Sequence, residues 1–104
     1  MIKNVSYQEL KLAVAEGFHL VDAYGTHCGP CKILSATLEQ IEREYPMLSI
    51  LKINTDEEPE FTHDMCIRAV PTLFLYQEGE VIQRLSGALG HDELVALFGP
   101  HLYD

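Results

Sequence analysis

Apolar positions form two kinds of pattern along the first half of the chain: continuous runs and a helical repeat. Residues 18–24 and 48–54 are mostly continuous apolar runs, which are typical of buried strands. Between them, apolar side chains from Leu34 to Tyr45 recur every three or four positions, which predicts a helix over 31–45. Two strands joined by a helix form a βαβ unit, so we expect these strands to be parallel.

The first helix carries its own start and stop signals. Ser6 followed by Glu9 is a capping box, in which each side chain binds a free backbone N–H at the helix start. Gly17 can take the left-handed conformation that ends a helix, so the sequence predicts a helix over 7–16. A short edge strand over 2–5 is expected before it.

The second half of the chain is built from shorter elements. The turn residues Glu78 and Gly79 separate two apolar runs, which predicts an antiparallel hairpin. Gly99 and Pro100 are expected to end the last helix. The predicted elements here are a helix over 59–66, strands over 72–76 and 81–85, and a helix over 92–98. Residues 1–104 therefore form one α/β domain, with a central mixed β-sheet flanked by helices on both faces.

The charge and the cysteine count narrow the function. The chain carries 16 acidic and 7 basic residues, a net charge of -9, and a field of that sign repels nucleic acids. No apolar stretch reaches the ~20 residues of a membrane span, and the polar start of the chain contains no signal-peptide core. We therefore expect a cytoplasmic protein with no nucleic-acid or membrane partner. Three cysteines, an odd number, do not suit a secreted disulfide framework.

Two cysteines carry the chemistry. Cys28 and Cys31 enclose Gly29 and Pro30 at the predicted strand-to-helix turn, a context that favours a redox pair over two packed cysteines or metal ligands. The first turn of a helix offers free N–H groups and the positive end of its dipole, which stabilise a thiolate. Cys28 is therefore predicted to attack, and Cys31 to resolve the mixed disulfide one turn later. Pro30 suits the first turn, and Gly29 leaves the sulfurs accessible.

One carboxylate interrupts the first buried strand. Asp22 lies six residues before Cys28, and a buried carboxyl group has a raised pKa that lets it exchange protons near neutrality. The alternative is a structural aspartate that is hydrogen-bonded at the strand end.

The segment around the cysteines is similar to the active-site segment of the thioredoxin family. The likeness covers nearly the whole chain, from about Ser6 to Phe98, and its strongest stretches are 21–32, 52–56 and 67–72, with Gly79 and Gly87. The resemblance implies the thioredoxin fold and a protein-disulfide reductase that maintains cell redox homeostasis without a cofactor. It also implies disulfide-containing client proteins and a thioredoxin reductase as partners, and we expect a monomer.

The resemblance assigns roles to further residues. It implies that Asp22 takes the proton from Cys31 and that Lys52 lies near that carboxylate, although Lys52 could instead be an edge-facing surface lysine. It implies a cis bond between Val70 and Pro71 beside the cysteines, where an ordinary proline opening a strand is the alternative. The surface that docks clients and the reductase is implied to include Gly29, Pro30, Val70, Pro71, Gly87 and Arg68.

The sequence departs from the family at His27, where thioredoxins usually carry tryptophan. A cationic histidine would favour the neighbouring thiolate, or it could simply point into solvent. Either way a large apolar docking surface is lost, which predicts altered partner choice and, if the charge acts, a less reducing couple. Ala36 replaces a proline often found in the family, which predicts a straighter helix.

The third cysteine, Cys66, lies at the end of a predicted short helix. Three interpretations remain open for it: a small buried apolar residue, a regulatory thiol, or a zinc ligand with Cys28, Cys31 and His63. A zinc protein and a redox-inactive binding module are accordingly the competing functions.

Overall fold

The computed structural model describes residues 1–102 as a five-stranded mixed sheet with helices on both faces. The strands are β1 (Ile2–Asn4), β2 (Phe18–Tyr24), β3 (Ser49–Asn54), β4 (Thr72–Gln77) and β5 (Glu80–Ser86). The helices are α1 (Tyr7–Ala13), α2 (Gly29–Glu44), α3 (Pro59–Asp64) and α4 (His91–Leu102). The strand order is β1-β3-β2-β4-β5, which confirms the predicted α/β architecture.

The two central strands fix which side chains share a face. β2 and β3 are parallel, as the βαβ unit predicts, and their register places Leu20 beside Ile50 and Asp22 beside Lys52. Side chains alternate between the faces of a strand, so all four lie on the same face. β4 and β5 are antiparallel, which confirms the predicted hairpin.

The two faces of the sheet bury separate apolar clusters. One face packs against α2 and α4, and its central members are Leu20, Leu34, Leu38, Ile50 and Phe98. The other packs against α1 and α3, and its central members are Leu10, Val21, Ile53, Phe61 and Phe74. Each helix is held by its apolar stripe, and none described for residues 1–102 has the length and apolar character to span a bilayer.

The first helix begins as predicted but ends early. The capping box of Ser6 and Glu9 is present, whereas α1 stops at Ala13 rather than at residue 16. Val14 follows it into the core and is only 6% exposed, so the chain must turn there. Gly17 does adopt a left-handed φ of +81°, in the turn that leads into β2.

The last helix continues beyond its predicted stop. Gly99 and Pro100 do not end α4, which extends to Leu102. Gly99 does not take a left-handed φ, and a proline near a helix end forfeits few backbone bonds. The ring of His101 stacks on Phe18 at 4.7 Å, so tertiary packing supports this final turn.

Candidate active site

Cys28 and Cys31 lie at the start of α2 and form a disulfide, with their Cα atoms 5.3 Å apart. Cys28 precedes the first turn in an extended conformation, and its Sγ accepts the backbone N–H of Cys31 at 3.2 Å. Cys28 is partly exposed, whereas Cys31 is only 4% exposed. The first cysteine is therefore the more accessible of the two.

The start of α2 suits a negative sulfur. Pro30 occupies the first turn, and no acidic side chain lies in that turn although the chain carries a net charge of -9. A Cβ added at Gly29 would meet nothing within 4 Å, so the space beside the sulfurs is open. Free N–H groups at the helix end thus act on Cys28 without competition from a neighbouring carboxylate.

A loop before β4 borders the disulfide. The Val70–Pro71 peptide bond is cis, as the resemblance implies, and the carbonyl oxygen of Val70 lies 3.7 Å from the Cys28 sulfur. The Val70 side chain packs closely over Gly25, where an added Cβ would lie only 3.2 Å from it. Pro71 is buried, and its carbonyl accepts the N–H of the exposed Gly87 at 3.0 Å. The backbones of Val70, Pro71 and Gly87 are therefore joined into one rim, which meets the Cys28 sulfur at Val70.

Asp22 is fully buried, and neither carboxylate oxygen has a hydrogen-bond partner within residues 1–102. No protein group described there supports the alternative of a hydrogen-bonded structural aspartate. Burial raises the pKa of Asp22 from its ordinary 3.8 to about 6, against an opposing effect of the Lys52 charge. A carboxyl group with such a pKa can take up or release a proton near neutrality.

Lys52 lies on the interior strand β3 and is partly buried, so the edge-facing alternative is wrong. Its ammonium group donates a hydrogen bond to the Ser35 hydroxyl at 2.7 Å and lies 4.8 Å from the centre of the Tyr24 ring. Ser35 was not predicted from the sequence. Its signal is a small polar residue four positions after Cys31, where the helix returns to the same face.

Two of the candidate docking residues lie on the surface. His27 is exposed and lines a cleft of about 490 Å³ with Asp56 and Val70, and it makes no hydrogen bond to residues 1–102. Arg68 is also exposed and lines a neighbouring cleft of about 610 Å³. Asp56 borders both clefts, so the two are adjacent on the surface.

Cys66 is a free, exposed thiol, so its interpretation as a buried apolar residue is wrong. α3 ends at Asp64, two residues earlier than predicted, and Cys66 follows it with a left-handed φ of +52°. Within residues 1–102 no three His, Cys, Asp or Glu side chains meet as a metal site. The zinc set proposed with His63 is therefore not assembled.

The comparisons with known proteins agree with this geometry. The family model described as Thioredoxin matches residues 1–99. The chain is 35% identical to the thioredoxin of Chlamydia muridarum over 101 residues, which is 97% of this chain and 99% of that protein. It is 33% identical to the thioredoxin of Listeria monocytogenes over 95 residues, 90% of this chain and 92% of that protein. The solved thioredoxin of Malassezia sympodialis superposes with a TM-score of 0.85 at 26% identity, covering 96% of this chain and 92% of that one.

Proposed function

The chain belongs to the thioredoxin family, and from that premise we propose that Cys28 attacks the disulfides of client proteins and Cys31 resolves the product. It is a thiol–disulfide oxidoreductase of the thioredoxin type. The observation that carries the assignment of Cys28 is its accessible sulfur, which accepts an N–H from the first turn of α2.

The exchange proceeds in two steps. The Cys28 thiolate attacks one sulfur of the client disulfide, which forms a mixed disulfide and releases the other client sulfur as a thiolate. Cys31 then loses its proton and attacks the Cys28 sulfur, which breaks the mixed disulfide. The client leaves with two thiols, and its two-electron reduction is balanced by the new Cys28–Cys31 bond.

Asp22 takes the proton that Cys31 loses in the second step. Its burial and its pKa of about 6 support this role, because a carboxylate without hydrogen bonds is a stronger base than one in water. Lys52 pairs with Asp22 across β2 and β3, and its positive charge opposes the rise in the pKa of Asp22.

Clients bind along the rim of Cys28. An extended client segment pairs with the Val70 backbone and crosses the exposed surface of Gly29, Pro30 and Gly87, beside the buried Pro71. His27 contacts the segment from the cleft beside the disulfide, and Arg68 contributes to docking of the reductase. The polar character of His27 supports a choice of clients that differs from that of tryptophan-bearing thioredoxins.

We place the protein in the cytoplasm, as a single-domain monomer without a cofactor and with no nucleic-acid or membrane partner. The net charge of -9 supports the absence of a nucleic-acid partner, and the free thiol of Cys66 suits a reducing compartment. Thioredoxin reductase is the partner that would restore the dithiol.

Reduction of insulin by dithiothreitol tests this proposal. The wild type should accelerate it, Cys28→Ser should fall to the uncatalysed rate, and Cys31→Ser should retain client as a mixed disulfide. Cys66→Ser is the matched control and should keep full activity. In the reduced protein, iodoacetamide at pH 7 should label Cys28 faster than the exposed Cys66. Equal labelling rates would overturn the assignment of Cys28 as the attacking thiolate.

A further inference from the structure

We propose that Ser35 is a positioning residue for this reaction, which holds the Lys52 ammonium group in the cleft between α2 and β3 and thereby controls proton exchange between Asp22 and Cys31. The inference rests on the proposed role of Asp22 as proton acceptor. It adds a residue to which neither the motif nor the resemblance assigns a role.

Ser35 lies at the junction of the groups concerned. It follows Cys31 by four residues on α2, so the two side chains lie on the same face of the helix. A cleft of about 200 Å³ opens beside them and is also lined by Tyr24 and Lys52. The serine hydroxyl thus shares one cleft with the resolving cysteine and the lysine.

The contact of Ser35 decides where the lysine charge lies. Lys52 starts beside Asp22 on the neighbouring strand, yet within residues 1–102 the two form no ion pair, and both Asp22 oxygens lack hydrogen bonds. The ammonium group instead donates to Ser35 at 2.7 Å. Lys52 therefore acts on Asp22 through its electric field. The strength of that field at Asp22 depends on where the hydrogen bond to Ser35 holds the ammonium group.

Without its hydrogen bond to Ser35, the Lys52 ammonium group can move into solvent. Lysine side chains extend their charged end into water when nothing holds it, and the cleft is open to solvent. Loss of the hydroxyl should therefore move the charge away from Asp22. The Tyr24 ring, 4.8 Å from the ammonium group, offers a weaker contact that does not fix one position.

Other charges do not substitute for Lys52. Three elements contribute titratable groups to the cleft: Lys52 from β3, Tyr24 from β2, and Cys31 and Lys32 from α2. The other two elements of this layer contribute apolar side chains, Leu73 from β4 and Leu94 from α4. Of these, Lys52 is the group that lowers the pKa of Asp22, against the effect of burial.

The test compares Ser35→Ala with Ser35→Thr, which keeps the hydroxyl, and with both changes in a Lys52→Met background. The measurements are the carboxyl titration of Asp22 by NMR and the pH profile of client release from the mixed disulfide. Ser35→Ala should move the titration midpoint upward by roughly half a pH unit. Ser35→Thr should keep the wild-type midpoint, and Ser35→Ala should change nothing further in Lys52→Met.

Three results would overturn the inference: an unchanged midpoint in Ser35→Ala, a downward shift, or a shift that persists in the Lys52→Met background. Failure of the underlying mechanism has a different signature. If Asp22→Asn releases client at the wild-type rate and with the wild-type pH profile, the role of Asp22 itself is wrong, whatever Ser35 does.

Discussion

One face of the sheet contains an apolar region and a polar region that lie next to each other on the same two strands. At one position β2 and β3 present Leu20 and Ile50, which are fully packed with Leu38 of α2. Two residues later the same strands present Asp22 and Lys52 beneath the start of the same helix. Both pairs lie in the same parallel register, so the regions are distinguished by their side chains.

The apolar region and the polar region have different effects on the stability of the fold and on the reaction. Burial of Leu20 and Ile50 raises the free energy of unfolding, whereas burial of the unpaired Asp22 carboxylate lowers it. The rest of the layer must therefore compensate for Asp22. Changes in the apolar region should alter stability without altering the reaction, and changes in the polar region should alter both in opposite directions.

The largest effect on stability is expected in the apolar region. Leu38→Ala should lower the free energy of unfolding by about 2–5 kcal/mol, because Leu38 is fully buried and a cavity would remain. Urea unfolding at pH 7 measures this loss. The insulin-reduction rate per folded molecule should stay at the wild-type level. A comparable fall in that rate would mean that the two regions are not separable.

The next effect is a gain of stability in the polar region. Asp22→Asn should raise the free energy of unfolding at pH 8 by about 2–4 kcal/mol, since a pKa raised from 3.8 to about 6 makes the buried carboxylate costly once ionised. The folded pKa lies above the unfolded one, so this cost appears as pH rises from about 4 to 6 and is constant above.

Urea unfolding of both proteins between pH 4 and 8 measures the difference between them. The gain of Asp22→Asn should shrink steadily as pH falls toward 4. A gain that stays constant with pH would show that ionisation of Asp22 is not its cause.

The smallest effect is expected at the other end of α2. There Glu44 accepts a hydrogen bond from His91 at 2.5 Å, and this contact raises the pKa of His91. Because the folded pKa is the higher one, the stabilisation is complete below the ordinary pKa of His91, 6.5, and is lost as pH rises through the raised value. His91→Gln should therefore lower the thermal midpoint slightly at pH 6 and leave it unchanged at pH 9. An equal loss at both pH values would exclude the charged pair as its source.

The sequence predicted what depends on neighbours along the chain. The strand over 18–24, the capping box at Ser6 and the position of Cys28 before α2 all follow from local patterns. The ends of α1 and α4 could not be predicted, because burial of Val14 and stacking of His101 on Phe18 decide them.

The same limit applies within the candidate site. Cys28 and Cys31 were found from their spacing, and Asp22 from its interruption of an apolar run. The hydrogen bond between Lys52 and Ser35 joins residues 17 positions apart and depends on how α2 lies across the sheet. Cys66 was misjudged in one interpretation because α3 ends before it, which leaves the thiol outside the core.

The unequal exposure of the two bonded sulfurs has a consequence for the order of events. Since Cys31 is 4% exposed, no second protein can compete for it while a client is attached to Cys28. In the proposed mechanism, every encounter therefore begins at the Cys28 sulfur and finishes inside the molecule before another starts. Under that mechanism the protein exchanges electrons with one molecule at a time, in an order that follows from the unequal access to its two sulfurs.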